Sequence, residues 1–451
     1  MEFNPTIFRE YDLRGLAATD LKPGFARGLG RAFAGYLEAG AVPKRVVVGH
    51  DNRLTSPGLT AELVEGLMAA GTEVIGLGQV PTPVFYFANQ AQKTAAGIMV
   101  TASHNPPAYN GFKLVVNQHS LYGPQIQEIG RILAMDRFPS GRGSFRQETV
   151  LENYLAALRE RTALKRPVRV VLDCGNGTAG PVALPALQSL GAEVIPLYCD
   201  SDPTFPHHLP DPLVPANLKD LAARVRETGA EAGIGIDGDG DRIGVCDERG
   251  EMMWGDKILG LLIETALRAR PGAPIVYDVK CTLALEEEIR RLGGRPLMWK
   301  TGHSLIEQKM HEVGSPAAGE LSGHLYFADR WFGFDDAIYA SARFLAYLSE
   351  SQTPLSRLAE PLNTYLATPE IRLEVPEERK FDLVRDLERE LAAEFQVSTI
   401  DGVRVVFPDG WGLVRASNTQ PALVLRFEAR TAGRRDEIER LITGRLRRLL
   451  A

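Results

Sequence analysis

The sequence predicts an α/β protein: three related α/β domains followed by a smaller α+β domain. Three observations carry this. Three short apolar runs each end in an aspartate: Arg45-Val46-Val47-Val48-Gly49-His50-Asp51, Val168-Arg169-Val170-Val171-Leu172-Asp173 and Pro274-Ile275-Val276-Tyr277-Asp278. Each is followed by a helix-like segment and then a second strand: Glu73-Val74-Ile75-Gly76-Leu77, Glu193-Val194-Ile195-Pro196-Leu197 and Arg295-Pro296-Leu297-Met298-Trp299. A third element in each repeat leads into a polar, glycine-bearing loop. Those loops hold Ser103-His104-Asn105, Asp237-Gly238-Asp239-Gly240-Asp241 and Gly319-Glu320-Leu321-Ser322-Gly323-His324.

Strand, helix and strand in this order read as βαβ units with parallel pairing and right-handed crossovers. The expected fold is therefore three Rossmann-like α/β domains with mixed sheets. Ligands of open α/β sheets bind at the carboxyl ends of strands, so the three loops should sit at equivalent functional edges. Breaks near Thr149-Val150, Gly250-Glu251 and Ala367-Thr368 set expected domains at 1–149, 150–250, 251–367 and 368–451. After the last break the pattern changes. Ile371-Arg372-Leu373-Glu374-Val375 alternates, a charged helix is expected over 377–395, and strands follow at 403–407 and 422–427. An amphipathic, arginine-rich helix over 434–450 closes a small antiparallel α+β domain.

Composition excludes several classes. The chain has 451 residues, 44% hydrophobic and 24% charged, and a net charge of −6. That balance implies no general attraction to nucleic acid or to an anionic membrane. No basic region precedes an apolar run at the amino terminus, and no apolar stretch reaches the roughly 18–20 residues that span a bilayer. Cys174, Cys199, Cys246 and Cys281 are widely spaced, with no CxxC pair, and read as thiols in a reducing cytoplasm.

The loops carry the chemistry. Ser103 ends the apolar strand Ala96-Gly97-Ile98-Met99-Val100, beside His104, in a turn that Pro106 and Pro107 stiffen. Alone, a Ser-His pair in such a turn is most simply a surface loop. Asp237, Asp239 and Asp241 alternate with glycines at another strand end. Carboxylates so close repel unless a cation sits between them, and hard oxygens suit Mg²⁺ or Ca²⁺. An EF-hand fails here, because Arg242 replaces its glycine and a strand replaces its exiting helix. Arg415-Ala416-Ser417-Asn418-Thr419 offers a guanidinium, hydroxyls and an amide suited to a phosphate. Glu320 and Ser322 suit sugar hydroxyls, with His324 following and Lys300-Thr301-Gly302-His303 ending a neighbouring strand. One motif points elsewhere. Gly175-Asn176-Gly177-Thr178-Ala179-Gly180 follows a strand, precedes a helix and has Asp200 beyond it, as in a dinucleotide fingerprint. From the residues alone a nucleotide-dependent oxidoreductase is the rival reading.

Taken in order, these loops resemble the α-D-phosphohexomutase superfamily, and most closely its bacterial phosphomannomutase/phosphoglucomutase group. The resemblance runs from Phe8-Arg9-Glu10-Tyr11-Asp12-Leu13-Arg14-Gly15 to Ser417-Asn418-Thr419-Gln420-Pro421. It implies four domains around a central cleft and demotes the dinucleotide reading. It also implies that Ser103 carries a phosphoryl group, with Mg²⁺ bound by Asp237, Asp239, Asp241 and phospho-Ser103. Arg242 would help neutralise that group. The phosphoryl passes to a hexose 1- or 6-phosphate, forming a hexose 1,6-bisphosphate that returns its other phosphate to Ser103. Lys113, His104, His303 and His324 are candidates for the general base. Arg415, Ser417, Asn418 and Thr419 would hold the distal phosphate, Glu320 and Ser322 the 3- and 4-hydroxyls, and Tyr11, Arg14 and Lys280 match further cleft positions. Glu320-Leu321-Ser322 and Ser417-Asn418-Thr419 resemble the group accepting glucose and mannose; phosphoglucosamine mutases usually read Glu-Gln-Ser and Ser-Gly-Thr. The expected partners are small-molecule sugar phosphates, and the expected state is a cytoplasmic monomer.

Overall fold

The structure, a computed structural model, describes residues 3–418 and 421–450. Packing divides the chain into two compact units: Met1–Gly255 with Ser322–Ser356, and Asp256–Leu321 with Arg357–Ala451.

The first unit holds two mixed sheets. In one, the strands run Leu13–Leu16, Tyr109–Val116, Ala96–Val100, Arg45–His50, Glu73–Gln79 and Ser144–Gln147, with His119–Ser120 paired to Tyr109–Val116. Arg45–His50 is parallel to both of its neighbours, whereas Tyr109–Val116 turns back antiparallel after the Ser103 loop. In the other, the order is Met252–Met253, Ile243–Asp247, Ala232–Ile236, Arg169–Asp173 and Glu193–Leu197. Arg169–Asp173 is parallel to both neighbours, and Ile243–Asp247 turns back antiparallel after the Asp237 loop. Val46, Val48, Val74, Ile98 and Phe112 pack with Phe25, Leu29, Phe33, Leu63 and Leu67 of the helices Phe25–Ala39 and Ser56–Ala69. Residues 322–356 belong to this unit, and Tyr154 donates to Asp336 at the start of the helix Ala337–Ser349.

In the second unit Pro274–Asp278 lies between Arg295–Trp299 and Ala317–Gly319, parallel to both. Each aspartate-ended strand is thus the middle one of its parallel trio, which is the repeat read in the sequence. Each aspartate also braces the turns at its sheet edge. Asp51 accepts from the Ala102 N–H, Asp173 from the Gly175 N–H, and Asp278 from the Leu321 N–H and the Thr301 hydroxyl.

The chain ends in an antiparallel sheet, Leu366–Ala367, Ala422–Ala429, Gly410–Ala416, Val403–Phe407 and Val397–Ser398, with Ile371–Glu374 also paired to Ala422–Ala429. The helices Lys380–Ala392 and Ala432–Leu450 cover it through Leu387, Leu391, Ile438 and Ile442. The charged helix starts three residues later than its sequence pattern suggested, since Glu377 instead pairs with the Lys380 ammonium at 2.6 Å. Buried Arg404 donates to the Val279 carbonyl and lies 4.0 Å from the Trp411 ring centroid, joining this sheet to the strand Pro274–Asp278. Among the described residues no helix is long and apolar enough to cross a membrane.

Candidate active site

Ser103 sits where its strand has ended and the chain must reverse. Its φ of +50° lies in the left-handed region that non-glycine residues rarely adopt. The Ser103 N–H donates to Thr101 Oγ1, and Oγ lies 2.9 Å from His104 Nδ1 and donates to Asp237 Oδ2 at 2.8 Å. Arg14 donates to Asn105 Oδ1 at 2.6 Å and pairs with Asp12, which places Arg14 beside the serine loop. Tyr11 lies just before the same strand, half-buried.

The aspartate loop closes on itself. Asp237 Oδ1 accepts the N–H groups of Gly240, Asp241 and Arg242 at 3.0–3.1 Å, aided by Gly240 at φ +87°. Asp239 Oδ2 accepts from the Thr82 hydroxyl at 2.7 Å and the Thr101 hydroxyl at 3.2 Å. The Lys113 ammonium contacts Asp241 and lies 3.2 Å from Asp239. All three carboxylates are fully buried, and one oxygen from each lies within 4.8 Å of the others. Among the described residues Asp239 Oδ1 and Asp241 Oδ1 have no hydrogen-bond partner. Unsatisfied buried carboxylate oxygens at this spacing are what a hard divalent cation requires, so these residues fit a metal. A second group, Asp241 with His324 and Asp335, shares one of them.

His324 reaches this loop through a backbone bridge to Arg242. Arg242 Nε donates to His324 Nε2 at 2.9 Å, and His324 Nδ1 lies 2.7 Å from Asp335. The charges are strongly coupled. Burial, with Asp241 and Asp239 alongside, pushes the Asp237 carboxyl well above the usual range. Burial would also raise Asp241, but Lys113, His324 and Arg242 hold it well below. Burial alone would lower Lys113, yet Asp239 and Asp241 hold it well above the ordinary lysine value. Burial, followed by Arg242 and Arg14, drives the His104 imidazole well below its ordinary value. Lys113 is therefore an ammonium among carboxylates, while His104 is neutral beside the serine oxygen.

The second unit gathers its own polar set. Glu320 Oε1 accepts the Gly302 N–H at 2.9 Å, beside His303 at the start of the helix His303–Val313. Lys280 Nζ lies 3.7 Å from Asp278 and 3.3 Å from Glu370. Arg415 Nε donates to Asp401 Oδ2 at 2.9 Å, and the same oxygen accepts the Thr301 N–H. Ser417 is buried and Asn418 half-buried at the end of the strand Gly410–Ala416. Ser322 is buried at the start of the segment that joins the first unit. Thr419 lies outside the described residues.

Sequence reasoning missed Thr82, Arg53, Asp335 and Asp401, which touch Asp239, Ser103, His324 and Arg415. Only the aspartate repeat hinted at one of them, since Arg53 pairs with Asp51. The dinucleotide reading is corrected by packing. The Thr178 N–H donates to the Gly238 carbonyl, and a Cβ on Gly177 would stand 2.7 Å from that oxygen. The aspartate loop fills the cradle that a pyrophosphate would need.

Comparison with known proteins agrees. Models of phosphoglucomutase/phosphomannomutase match in chain order: α/β/α domain I over residues 5–139, domain II over 152–250, domain III over 254–365 and the C-terminal domain over 370–443. The phosphomannomutase/phosphoglucomutase of Pseudomonas aeruginosa is 46% identical over 439 residues, covering 97% of this chain and 94% of that protein. The phosphoglucomutase of Neisseria gonorrhoeae is 40% identical over 438 residues, covering 96% and 95%. The crystal structure of a phosphoglucomutase/phosphomannomutase family protein from Burkholderia thailandensis superposes with a TM-score of 0.93 at 42% identity, over 99% of this chain and 98% of that one. With all four models matched in order and relatives aligned along nearly its whole length, the chain belongs to the phosphoglucomutase/phosphomannomutase family.

Proposed function

We propose that this protein interconverts hexose 1-phosphates and hexose 6-phosphates of both glucose and mannose, using a phosphoserine at Ser103 and a hexose 1,6-bisphosphate. The observation that carries this is the meeting of Ser103 Oγ with Asp237 inside a buried cluster of three carboxylates. The names of the relatives, which join phosphomannomutase to phosphoglucomutase, support both sugars. Mg²⁺ held by Asp237, Asp239 and Asp241 would draw charge from the phosphoryl group when bound.

The chain's own residues supply the rest. A sugar hydroxyl attacks the phosphorus of phospho-Ser103, the bond from phosphorus to Oγ breaks, and His104 takes the hydroxyl proton and returns one to Oγ. The second transfer is the reverse: Ser103 Oγ gives its proton to His104 and attacks the other phosphate of the bisphosphate, the bond from phosphorus to the sugar oxygen breaks, and that oxygen takes the proton from His104 as it leaves. His104 suits this relay because its Nδ1 is 2.9 Å from Oγ. Lys113, engaged with two carboxylates, and His324, accepting from Arg242, instead hold charge and position. Arg242 and Arg14 stabilise the transferring charge. Glu320 and Ser322 grip the 3- and 4-hydroxyls, with Lys280 and His303 beside them; Arg415, Ser417, Asn418 and Thr419 hold the distal phosphate.

We assign the domains to 1–149, 150–250, 251–367 and 368–451, bounds that enclose the four matched segments. Four free, buried cysteines support a reducing, cytoplasmic setting. The test is a mutase assay with glucose, mannose and glucosamine 1-phosphates, primed with glucose 1,6-bisphosphate, with and without Mg²⁺. The reading expects Mg²⁺-dependent turnover of the glucose and mannose compounds. Turnover of glucosamine 1-phosphate alone would contradict it.

A further inference from the structure

Arg53 is among the largest fully buried side chains of the protein, with 1% of its surface exposed. Its guanidinium lies under the serine loop and donates to four of that loop's carbonyl groups. One terminal nitrogen donates to Ser103 at 2.7 Å and Asn105 at 2.6 Å; the other donates to Pro106 at 2.8 Å and Tyr109 at 3.0 Å. Nε donates to Asp51 Oδ2 at 3.1 Å. Asp51 works on the same loop from its donor side, accepting the Ala102 N–H, while its other oxygen accepts from Ser56 and from the Arg53 N–H. One buried ion pair therefore grips donors and acceptors over residues 102–109.

That grip answers a specific need. Ser103 holds a left-handed backbone that is strained for a non-glycine residue and persists only where its surroundings over-determine it. A loop that gives and receives a phosphoryl group must also keep Oγ aimed while its charge changes by about two units. Lysine would not replace arginine freely, since an ammonium has three donors and no planar fork. We propose that Arg53 is the positioning residue that fixes the direction of Ser103 Oγ for both phosphoryl transfers. The inference rests on the mutase reading above.

The test compares Arg53→Lys and Arg53→Met with the parent protein, each primed with glucose 1,6-bisphosphate. It reads kcat and KM for glucose 1-phosphate, and the phosphorus-31 resonance of the phosphoserine. Misaiming of the order of 1 Å costs about 100-fold in rate, so kcat of Arg53→Met should fall by about that factor while KM stays within about threefold. Arg53→Lys should recover some of the loss, and in both variants the phosphoserine resonance should shift. Parent-like kcat and an unmoved resonance in the folded variants would overturn the inference, leaving Arg53 a stabilising residue only. Should Arg53→Met fail to fold, Arg53→Lys decides alone, by the same two readings. Absence of turnover in the parent protein would instead bring down the mutase reading, and this inference with it.

Discussion

The α-carbon of Gly238 faces the carbonyl oxygen of Ser103 so closely that a Cβ there would stand 2.4 Å from it. The glycine between two aspartates thus adds a backbone contact to the hydrogen bond from Ser103 Oγ to Asp237 by which the two loops meet. The nearest atom belongs to the backbone and the next to the stiff ring of Pro210, at 3.1 Å, so a methyl group would have to push the two loops away from each other. Gly238→Ala should cost about 1–3 kcal/mol of stability through overpacking. It should also cost about 100-fold in kcat, since the serine and the carboxylates would separate. Urea unfolding and steady-state turnover on one preparation check both.

Metal binding should stabilise the first unit. A ligand that binds the folded state alone raises stability with its concentration above Kd, by about 2.7 kcal/mol at 100-fold excess. The melting temperature of the parent protein should therefore rise with added Mg²⁺ and fall back with chelator. In Asp239→Asn, one buried carboxylate fewer faces the cation, and the response should be much weaker. An equal response in both proteins would count against the three-carboxylate site.

The sign of one pH effect follows from His208. Burial would lower this imidazole, but the hydrogen bond and charge of Asp173, 3.1 Å away, raise it above its ordinary value. A raised folded value means a stabilising contribution that is fully present below the unfolded value of about 6.5 and lost as pH rises through the folded value. Stability should decline over that window more in the parent protein than in His208→Gln, read from urea midpoints at successive pH values. The neighbouring Pro210 carbonyl accepts the Gly238 N–H, so the aspartate loop should loosen in the same window.

In the second unit Trp411 is the anchor. It is fully buried, donates to Glu428 at 2.8 Å and stacks under Arg404. Trp411→Ala should cost about 3–5 kcal/mol and leave the Arg404 guanidinium without its aromatic face. Denaturant unfolding followed by the remaining tryptophans measures this.

The features of this protein legible in its sequence were those whose cause is local. Three aspartate-ended strands, the alternating Asp237-Gly238-Asp239-Gly240-Asp241 loop and the Ser103 turn each carry their signal within a few residues, and all three strands lie where the repeat placed them. Residues whose role depends on distant partners were not legible. Thr82 meets Asp239 across 157 residues, Arg53 meets Ser103 across 50, and Asp401 meets Thr301 across 100. The dinucleotide-like turn misleads for the same reason. Its spacing is local, but what fills it is Gly238, from a loop about sixty residues on. Helix ends were also misplaced, as at Lys380, because a side-chain ion pair outside the helix reads in sequence like one more helical turn.

The proposed mutase route requires Ser103 to carry the phosphoryl group through both transfers. The most direct measurement is the conversion of glucose 1-phosphate to glucose 6-phosphate by Ser103→Ala, primed with glucose 1,6-bisphosphate and Mg²⁺, beside the parent protein. Turnover is expected in the parent protein and none above background in a folded Ser103→Ala; parent-like turnover by that variant would rule out a phosphoserine at Ser103.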